Sequence, residues 1–482
     1  MVTFLNSLFN FKRRTQTTQE QVNQAVANAL AYIGPKVPTY PDIDQRKAIT
    51  DGFLGNTDIY TIISRKAAMC AAIPFYEYRI KGEEGKKYLQ EYKQLMSSPV
   101  SPSKAEETMF KAQRLKLKAL EQIDTGSDLN RLLTTPNSEQ SQMELMEMAY
   151  AYLCLTGNAY LGKLRLNAGA NQGKVQELFS LPSQYMKIIP DGRFPLGISS
   201  YEYYLYSPLP IEKNDVVHLK YFNPDVQSNG SHLYGLSPIR ANKKLLTRSN
   251  SEMDSTVSQY ENGGPPVIVY NEELKGPEGL AMGKAVKKGY HDEMAGNKNR
   301  GKIFFAAGKL GILQTGISPA DLKILESSTI TFRKLAAVWG MPSALFNDNE
   351  HTTLANMNEF QKLAYTHGCI PDVIRMRDAL NRCMLPDFNL VGTSYIDADF
   401  TNISALQPDM KTLSEWLDMS PEITYNERRE MKKLDRLNDP NMDKIYVPNN
   451  LVPLEDLNMP APDNIQTTVD QLNKSGLNPY KD

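Results

Sequence analysis

Apolar and polar residues fall into segments with helical or strand-like spacing. From Ile59 the apolar residues recur at helical spacing until Pro74, and Phe75 and Tyr78 then open a run in which apolar and polar positions alternate. Residues 86–123 are rich in Lys, Glu, Gln, Leu and Ala, which predicts two exposed helices whose charged residues form solvated faces. The first folded part is therefore predicted to open with a helix, a strand and two surface helices.

A second group of segments predicts a sheet. A helix over about 140–155 ends at Gly157. Beyond it, turn residues such as Asp191 and Gly192 separate short runs of β-branched, aromatic and other apolar residues. These runs are 159–166, 175–181, 186–189, 201–206 and 216–221. They predict an antiparallel, half-buried sheet, so the region is α+β.

Two long helices are predicted to begin with the same signal. Ser237 is an N-cap residue followed by Pro238, and Ser318 is followed by Pro319 in the same way. The first helix meets no breaker for about 25 residues, or about 37 Å, and the second stops at Gly340. The apolar residues of the first helix form one narrow seam, so it is expected to pack against neighbours outside a core.

Between these helices lies a small insert with a strand, a Lys-bearing helix and a further strand or hairpin. After the second helix comes a polar loop, residues 346–355. Asn356 and Glu359 then form a predicted capping box for a long helix that reaches Leu385, with a kink where Pro371 removes a backbone donor. A strand at 389–400 and two shorter helices complete the predicted folded part.

Composition limits the function classes. The chain has 482 residues with a formal net charge of -1, which argues against gripping nucleic acid by bulk electrostatics. Its four cysteines are widely spaced and form no CxxC, which predicts neither a zinc ribbon nor a disulfide framework and favours a reducing compartment. No run reaches about 18 apolar residues, so no membrane contact is expected.

Candidate catalytic chemistry is weak. The nearest approach to a phosphate loop, Gly283 and Lys284, lacks both the earlier glycine and the following Ser or Thr. Asp397 and Asp399 alternate on a predicted strand and could share a metal ion, but the sequence places no third acidic partner. No cofactor, metal site or enzyme activity is therefore predicted.

Several strings, in a fixed order, carry a family resemblance. They are IPFYEY from Ile73, LLTTPN from Leu132, LTGNAYL from Leu155, DVVHLKYFNP from Asp215, YGLSPI from Tyr234, ENGGPP from Glu261, LAAVWGMPSALF from Leu335 and ITYNERR from Ile423. Together they resemble the portal protein family of tailed bacteriophages, whose members typically form closed rings of about twelve subunits.

The resemblance implies an α+β subunit with a β-rich wing, two stem helices, a small α/β clip, a long kinked helix and a helical crown. The implied parts are an N-terminal arm (1–45), the wing (46–236, with a helical elaboration at 86–123), stem helix 1 (237–263), the clip (264–317), stem helix 2 (318–340), the channel loop (341–355), the kinked helix and a strand returning to the wing (356–402), the crown (403–447) and an extended Pro-rich tail (448–482).

The resemblance also implies functional positions. The channel loop would contact passing DNA without reading its sequence, and it contains no Lys or Arg. Its candidate residues are Asn347, Asp348, Asn349, Glu350, His351, Thr352 and Thr353. The clip would dock the packaging motor and adaptors, and its candidate cations are Lys284, Lys287, Lys288, Lys298 and Arg300. Ser237, Pro238, Ser318 and Pro319 would cap the stem helices.

The implied function is that of a ring at the capsid vertex, serving as the conduit for DNA packaging and ejection. The implied partners are further copies of the chain, the terminase large subunit, a head-completion or tail adaptor protein, the major capsid protein, scaffold and double-stranded DNA. The implied location is the virion, after assembly in the host cytoplasm. Two alternatives stay open, a capsid-associated adaptor or scaffold without a channel and a metal-dependent nuclease.

Overall fold

The computed structural model describes residues 44–445, with gaps at 99–103, 124–125, 167, 169–171, 193–196, 226–230, 263–266, 272–280, 282, 286, 289–309, 315–323, 349–353, 402, 407–409, 421–422 and 433. The chain divides into two compact units, Met1–Gln407 and Pro408–Asp482. The predicted Pro-rich tail and almost all of the predicted N-terminal arm lie outside the described residues.

The first unit begins with helices and then forms most of its strands. Its first elements are α1 (Asp44–Lys47), α2 (Thr57–Ala71), β1 (Phe75–Ile80), α3 (Gly82–Ser97), α4 (Ala105–Ala119), β2 (Leu120–Gln122), α5 (Asp128–Thr134) and α6 (Gln142–Thr156). The next are β3 (Asn158–Arg165), β4 (Val175–Leu181), β5 (Met186–Pro190), β6 (Ile198–Tyr203), β7 (Leu209–Glu212) and β8 (Val216–Lys220).

Long helices dominate the rest of this unit. They and their strands are α7 (Pro238–Ala241), α8 (Lys243–Asn262), β9 (Val267–Asn271), β10 (Leu310–Gln314), α9 (Ile324–Val338), α10 (Leu354–Leu363), α11 (Ile370–Met384) and β11 (Ser394–Ala398). The second unit contains α12 (Met410–Met419) and α13 (Tyr425–Met431), the latter opened by a capping box between Thr424 and Glu427. The two shorter helices predicted after the last strand are confirmed.

Local signals explain most helix ends. Asn56 caps α2 through a bond from the Ile59 N–H at 2.9 Å. Ser141 and Glu144 form a capping box that opens α6, and Gly157 closes it at φ 75°, a conformation that favours glycine. The helix predicted to end at Gly157 is therefore confirmed.

The strands pair in four antiparallel groups. In order, they are β11-β1-β2, β4-β3-β8, β5-β6-β7 and β10-β9. The prediction of antiparallel pairing is confirmed. The single predicted sheet is wrong, because the strands between Gly157 and Tyr221 divide into two three-stranded sheets. The short strand β7 was missed, since its sequence, Leu-Pro-Ile-Glu, carries a proline.

Three apolar clusters hold the first unit together. The largest joins α2, α3, α6 and α11 to the β11-β1-β2 and β4-β3-β8 sheets. A second joins α2 and α6 to both long helices, with Leu246 of α8 and Leu335 of α9 among its buried members. The third lies between the β3 and β5 sheets around Tyr160. The second cluster thus fixes one end of each long helix on α2 and α6.

The pair α3 and α4 is present as predicted, but its charges are only partly solvated. Lys116 of α4 is largely buried and pairs with Asp397 of β11 at 2.8 Å, with its ammonium 4.2 Å from the centre of the Tyr78 ring. Tyr92 of α3 donates a hydrogen bond to the same carboxylate at 2.9 Å. The prediction that the charged residues of this stretch form solvated faces is therefore wrong for the side of α3 and α4 that packs against β11.

The two longest predicted helices are each interrupted. The helix from Ser237 breaks at Asn242, which separates α7 from α8. The kink predicted near Pro371 is confirmed as a π-helical segment, Ala364–Cys369, between α10 and α11. The predicted capping box at Asn356 is wrong, because α10 already begins at Leu354.

Candidate functional site

The described residues reach both sides of the predicted channel loop. A 3-10 turn (Ser343–Phe346) and Asn347 lie at its start, and α10 begins directly after it. Of the seven candidate loop residues, Asn347 and Asp348 are described. The others, Asn349, Glu350, His351, Thr352 and Thr353, lie outside the described residues.

Asp348 is held by an ion pair. Its carboxylate accepts hydrogen bonds from Arg333 Nε at 2.6 Å and NH2 at 2.7 Å, and a third from Ser343 Oγ at 2.7 Å. The side chain of Asp348 is 14% exposed. Two parallel bonds from one guanidinium fix both position and angle. We call Arg333, Ser343 and Asp348 the loop anchor, because they bind the start of the loop to α9.

The chain also turns sharply at this point. Asn347 adopts φ 63°, a left-handed conformation that Asn tolerates better than most residues. Phe346, just before it, packs edge-on against Phe332 of α9 with ring centres 5.5 Å apart. The turn and the aromatic pair together set the direction in which the chain leaves α9.

The end of α9 rests directly on the π-helical segment. Gly340 has φ 69°, and a Cβ there would come within 3.1 Å of the Gly368 Cα, so the two backbones touch. Trp339 is buried and donates from Nε1 to the Cys154 carbonyl at 3.1 Å. Trp339 therefore anchors this helix end. The end of α9, just before the loop, and the π-helical segment after α10 therefore meet in one packed junction.

The start of the first long helix is fixed to the end of α6. Ser237 is the N-cap of α7, and its Oγ donates to the Leu155 carbonyl at 2.5 Å. Asn158 holds Gly235 from both sides, accepting from its N–H at 2.6 Å and donating to its carbonyl at 3.3 Å. Pro238 is the first residue of α7. Ser318 and Pro319 lie outside the described residues.

A polar network links the two long helices. Arg248 of α8 pairs with Glu252 one turn on at 2.9 Å and donates to Ser327 of α9 at 2.6 Å. Ser327 in turn donates to Glu252. Burial opposes ionisation of Glu252, but the hydrogen bonds from Ser327 and Arg248 outweigh it and lower its pKa. Glu252 is therefore held as a carboxylate at the helix-helix contact.

The same helix is tied to the N-terminus of α2. Asn56 donates to Ser249 Oγ at 2.8 Å and to Asn250 Oδ1 at 2.7 Å, and Ser249 donates to Asp58 at 3.1 Å. Burial raises the pKa of Asp58, and the charge of Glu252 adds to this. The pKa of Asp58 is thus raised, whereas that of the nearby Glu252 is lowered.

These opposite directions predict opposite stability effects. The raised pKa of Asp58 means that its ionised form costs stability as the pH rises past the unfolded value near 4. Asp58→Asn is therefore expected to raise the melting temperature by about 1–2 °C at pH 7. Glu252→Gln is expected to lower it similarly, because the carboxylate contributes above its unfolded pKa. Both differences should shrink at pH 3.5, as differential scanning calorimetry will measure; equal signs would contradict the assignment.

Comparison with known proteins decides the family. The phage portal protein family model matches residues 107–432, about two thirds of the chain. The chain belongs to the phage portal protein family. The portal protein of Enterobacteria phage HK97 is 23% identical over 321 residues, covering 65% of this chain and 71% of that protein. A portal protein is a structural component, the subunit of the ring at a capsid vertex.

Solved structures establish the portal fold. A chain in the neck of an empty gene transfer agent particle, computed with C6 symmetry, matches with a TM-score of 0.56 at 20% identity. A chain in the neck of the native particle, computed with C12 symmetry, matches with a TM-score of 0.55 at 20% identity. Each match covers 86% of this chain and 99% of the other. The mixed helix and sheet architecture is thus that of a portal subunit.

The clip candidates of this portal subunit are described in part. Lys284, Lys287 and Lys288 are helical and exposed, and their spacing puts them on one helix face. Lys298 and Arg300 lie outside the described residues. Strands β9 and β10, which flank this helix in sequence, pair with each other over five residues.

The candidate metal ligand Asp397 lies in a cationic setting. It is fully buried, with Lys116 Nζ at 2.8 Å and Arg377 NH1 at 3.7 Å from its oxygens. Asp399 instead accepts from the Thr401 N–H at 2.9 Å. Within the described ranges, no three His, Cys, Asp or Glu residues are placed to hold a metal ion. Asp397 is therefore held in a buried ion-pair cluster with Lys116 and Arg377.

Among the described residues, no helix combines the length and the apolar character needed to cross a bilayer.

Proposed function

We propose that about twelve copies of the chain close into a ring whose axial channel conducts double-stranded DNA during packaging and ejection. The family match over residues 107–432 carries this proposal. The C12 and C6 symmetries of the matched neck particles support a closed ring. Exposed apolar side chains on the long helices also favour contacts with neighbouring subunits. Val257 of α8 is 54% exposed, and Ile330 of α9 is 45% exposed.

The long helices α8 and α9 act as the stem, and the loop at 347–353 lines the channel. A loop whose start is held on α9 by the loop anchor can keep a fixed radius while DNA slides past. A ring multiplies each charge by the number of copies, so twelve cations at a constriction would act as a brake. With Asp348 neutralised by Arg333, Glu350 is the remaining acid of this loop sequence, and no Lys or Arg accompanies it.

Replacing Glu350 by lysine tests the channel lining. The change would put about twelve cations where the loop meets DNA, and each neutralised phosphate adds to a salt-dependent grip. We expect slower packaging at low salt and partial recovery at higher salt, measured as DNA protected per particle. Glu350→Gln serves as the neutral control and should package with little change. Equal packaging by both variants at every salt concentration would reject the channel position.

The clip is proposed to dock the terminase large subunit during packaging and the head-completion or tail adaptor protein afterwards. The aligned cations Lys284, Lys287 and Lys288, with Lys298 and Arg300, would attract an acidic surface. Reversing the three aligned lysines to glutamate is expected to weaken motor docking by about tenfold or more and to leave ring assembly intact. Biolayer interferometry with the purified motor measures this.

A matched reversal controls for total charge. Lys87, Lys104 and Lys174 are also exposed but lie outside the clip, and their triple reversal changes the net charge equally. Docking should be unaffected in this variant. If both triple variants dock alike, the clip patch is not the docking surface. Contacts with the major capsid protein and scaffold, and assembly in the host cytoplasm, complete the proposed virion role.

A further inference from the structure

A basic cleft lies away from the loop, the stem and the clip. Its volume is about 720 Å³, and it lies between β8 and α11, with β6 contributing one wall. Several of the side chains that line it are charged. They are Lys163, Lys213, Lys220, Arg375, Arg382, Asp378 and Asp387. Five cations against two carboxylates make the cleft positive.

Both carboxylates of the cleft are already neutralised. Asp387 pairs with Lys163 at 2.6 Å and with Arg165 at 3.0 Å, and Asp378 pairs with Arg377 at 2.9 Å. Arg375 instead pairs with Asp372, a carboxylate that does not line the cleft, at 2.7 Å. Lys213, Lys220 and Arg382 are therefore the cleft cations that have no carboxylate partner among the described residues.

Three cations remain for a ligand. Lys220 donates to the carbonyls of His232 and Leu233 at 2.9 and 3.0 Å, which satisfy hydrogen bonds but do not neutralise its charge. Burial lowers the pKa of Lys220, so an added anion would relieve this cost. Lys213 and Arg382 are exposed and form no ion pair with any described residue. An anionic partner is thus favoured.

A tyrosine side chain also lines this cleft. Tyr201 of β6 is 3% exposed and lines the cleft, and its ring packs edge-on against His218. Its hydroxyl makes no hydrogen bond with another described residue. Burial lowers the pKa of His218 to about 3, so this neighbour is neutral and adds no charge. The hydroxyl is available to donate to a carboxylate.

The floor of the cleft is an open strand edge. Strand β8 is the outer strand of its sheet, paired only with β3 in the described part of the chain. The Tyr221 N–H donates to the Gly157 carbonyl at 2.9 Å. With the register of β8 on β3, this bond sets which residues of β8 direct their backbone N–H and C=O groups toward β3. The backbone groups of Val216, His218 and Lys220 therefore point away from β3. They form an edge of about 17 Å that can accept another strand.

We propose that this cleft binds an extended acidic peptide of a partner protein, which adds as a strand to the outer edge of β8. A peptide offers both N–H and C=O groups to the strand edge, whereas a phosphate backbone has no N–H donors. The flanking cations then select acidic side chains and disfavour neutral or basic strands, as charged edges do. Lys213, Lys220, Arg382 and Tyr201 are the selecting residues.

Fluorescence anisotropy on the assembled full chain tests the proposal. The probe is a fluorescein-labelled heptapeptide in which Glu alternates with Val. A second probe keeps its charge but has prolines in place of the valines, which removes the N–H donors. We expect the first probe to bind at least about tenfold more tightly than the second. Equal binding of both would show simple charge attraction and overturn strand addition.

Matched variants locate the binding. Arg382→Glu is expected to weaken the first probe by about tenfold or more, and Tyr201→Phe to weaken it less, without loss of folding. Lys87→Glu, an exposed lysine on α3 outside this cleft, carries the same charge change and should bind normally. Equal loss in the Arg382 and Lys87 variants would overturn the site. So would displacement of the probe by duplex DNA that depends on Arg382, since the cleft would then serve a phosphate backbone.

Discussion

Replacing Asp397 by alanine is expected to lower the free energy of unfolding of the first unit by about 3–5 kcal/mol. The carboxylate is fully buried and faces Lys116 and Arg377. Without it, the Lys116 ammonium would remain inside the protein without a carboxylate partner, whereas Arg377 would keep its pair with Asp378. Tyr92 would also lose the acceptor of its buried hydroxyl. Urea denaturation followed by fluorescence measures the change.

A nearby aspartate provides the control. Asp399 lies two residues on and is less buried, and its side chain accepts a hydrogen bond from the Thr401 N–H at 2.9 Å. Asp399→Ala should cost about 1 kcal/mol or less. If Asp397→Ala is equally mild, the buried cluster does not bind α3 and α4 to β11 as described.

Replacing Arg333 by alanine is expected to abolish most DNA packaging while the ring still assembles. The change leaves the Asp348 carboxylate, 14% exposed, without its two charged hydrogen bonds. Losing such bonds costs about 1–3 kcal/mol, which raises the population of the released loop by about tenfold or more. DNA protected per particle measures packaging, and native mass spectrometry measures the ring.

Two variants separate anchoring from general damage. Arg333→Lys keeps the charge but loses the two parallel bonds, so packaging should recover only in part. Lys334→Ala removes an exposed neighbouring cation and should package normally. A fully active Arg333→Ala ring would mean that the loop position does not depend on the anchor.

The elements with strong local signals could be predicted from the sequence. The helix closed by Gly157, the Pro371 interruption and the buried Trp339 at a helix end all follow from backbone chemistry within a few residues. The π-helical form of the interruption was not predicted; the segment packs against Gly340, which lies almost 30 residues earlier in the chain. The break at Asn242 was missed too, as no proline or glycine marks it.

Contacts distant in sequence could not be predicted. Lys116 and Asp397 are far apart in the chain, and their pairing turns a solvated-looking helix face into part of the core. The loop anchor was missed for a different reason. In the sequence, Asp348 looks like an acid of a free loop, and its contact with Arg333 forms because α9 brings that side chain beside it. The one sign of this contact in the sequence was that the two residues lie 15 positions apart across the end of a predicted helix.

The basic cleft has the same origin. Lys213, Tyr201 and Arg382 lie on three different elements, and nothing in their local sequence marks them as neighbours. The family resemblance did carry information about the whole chain, since its strings lie at element junctions such as Leu155 to Gly157 and Trp339 to Phe346. These are the places where packing in the first unit depends on particular residues.

Cryo-electron microscopy of the purified full chain, with native mass spectrometry of the same sample, tests the central claim most directly. The account predicts a closed ring of about twelve copies with an axial hole. In that ring α8 and α9 surround the hole, and residues 349–353 point into it. An open oligomer, or a closed ring with the loop on its outer surface, would contradict the account.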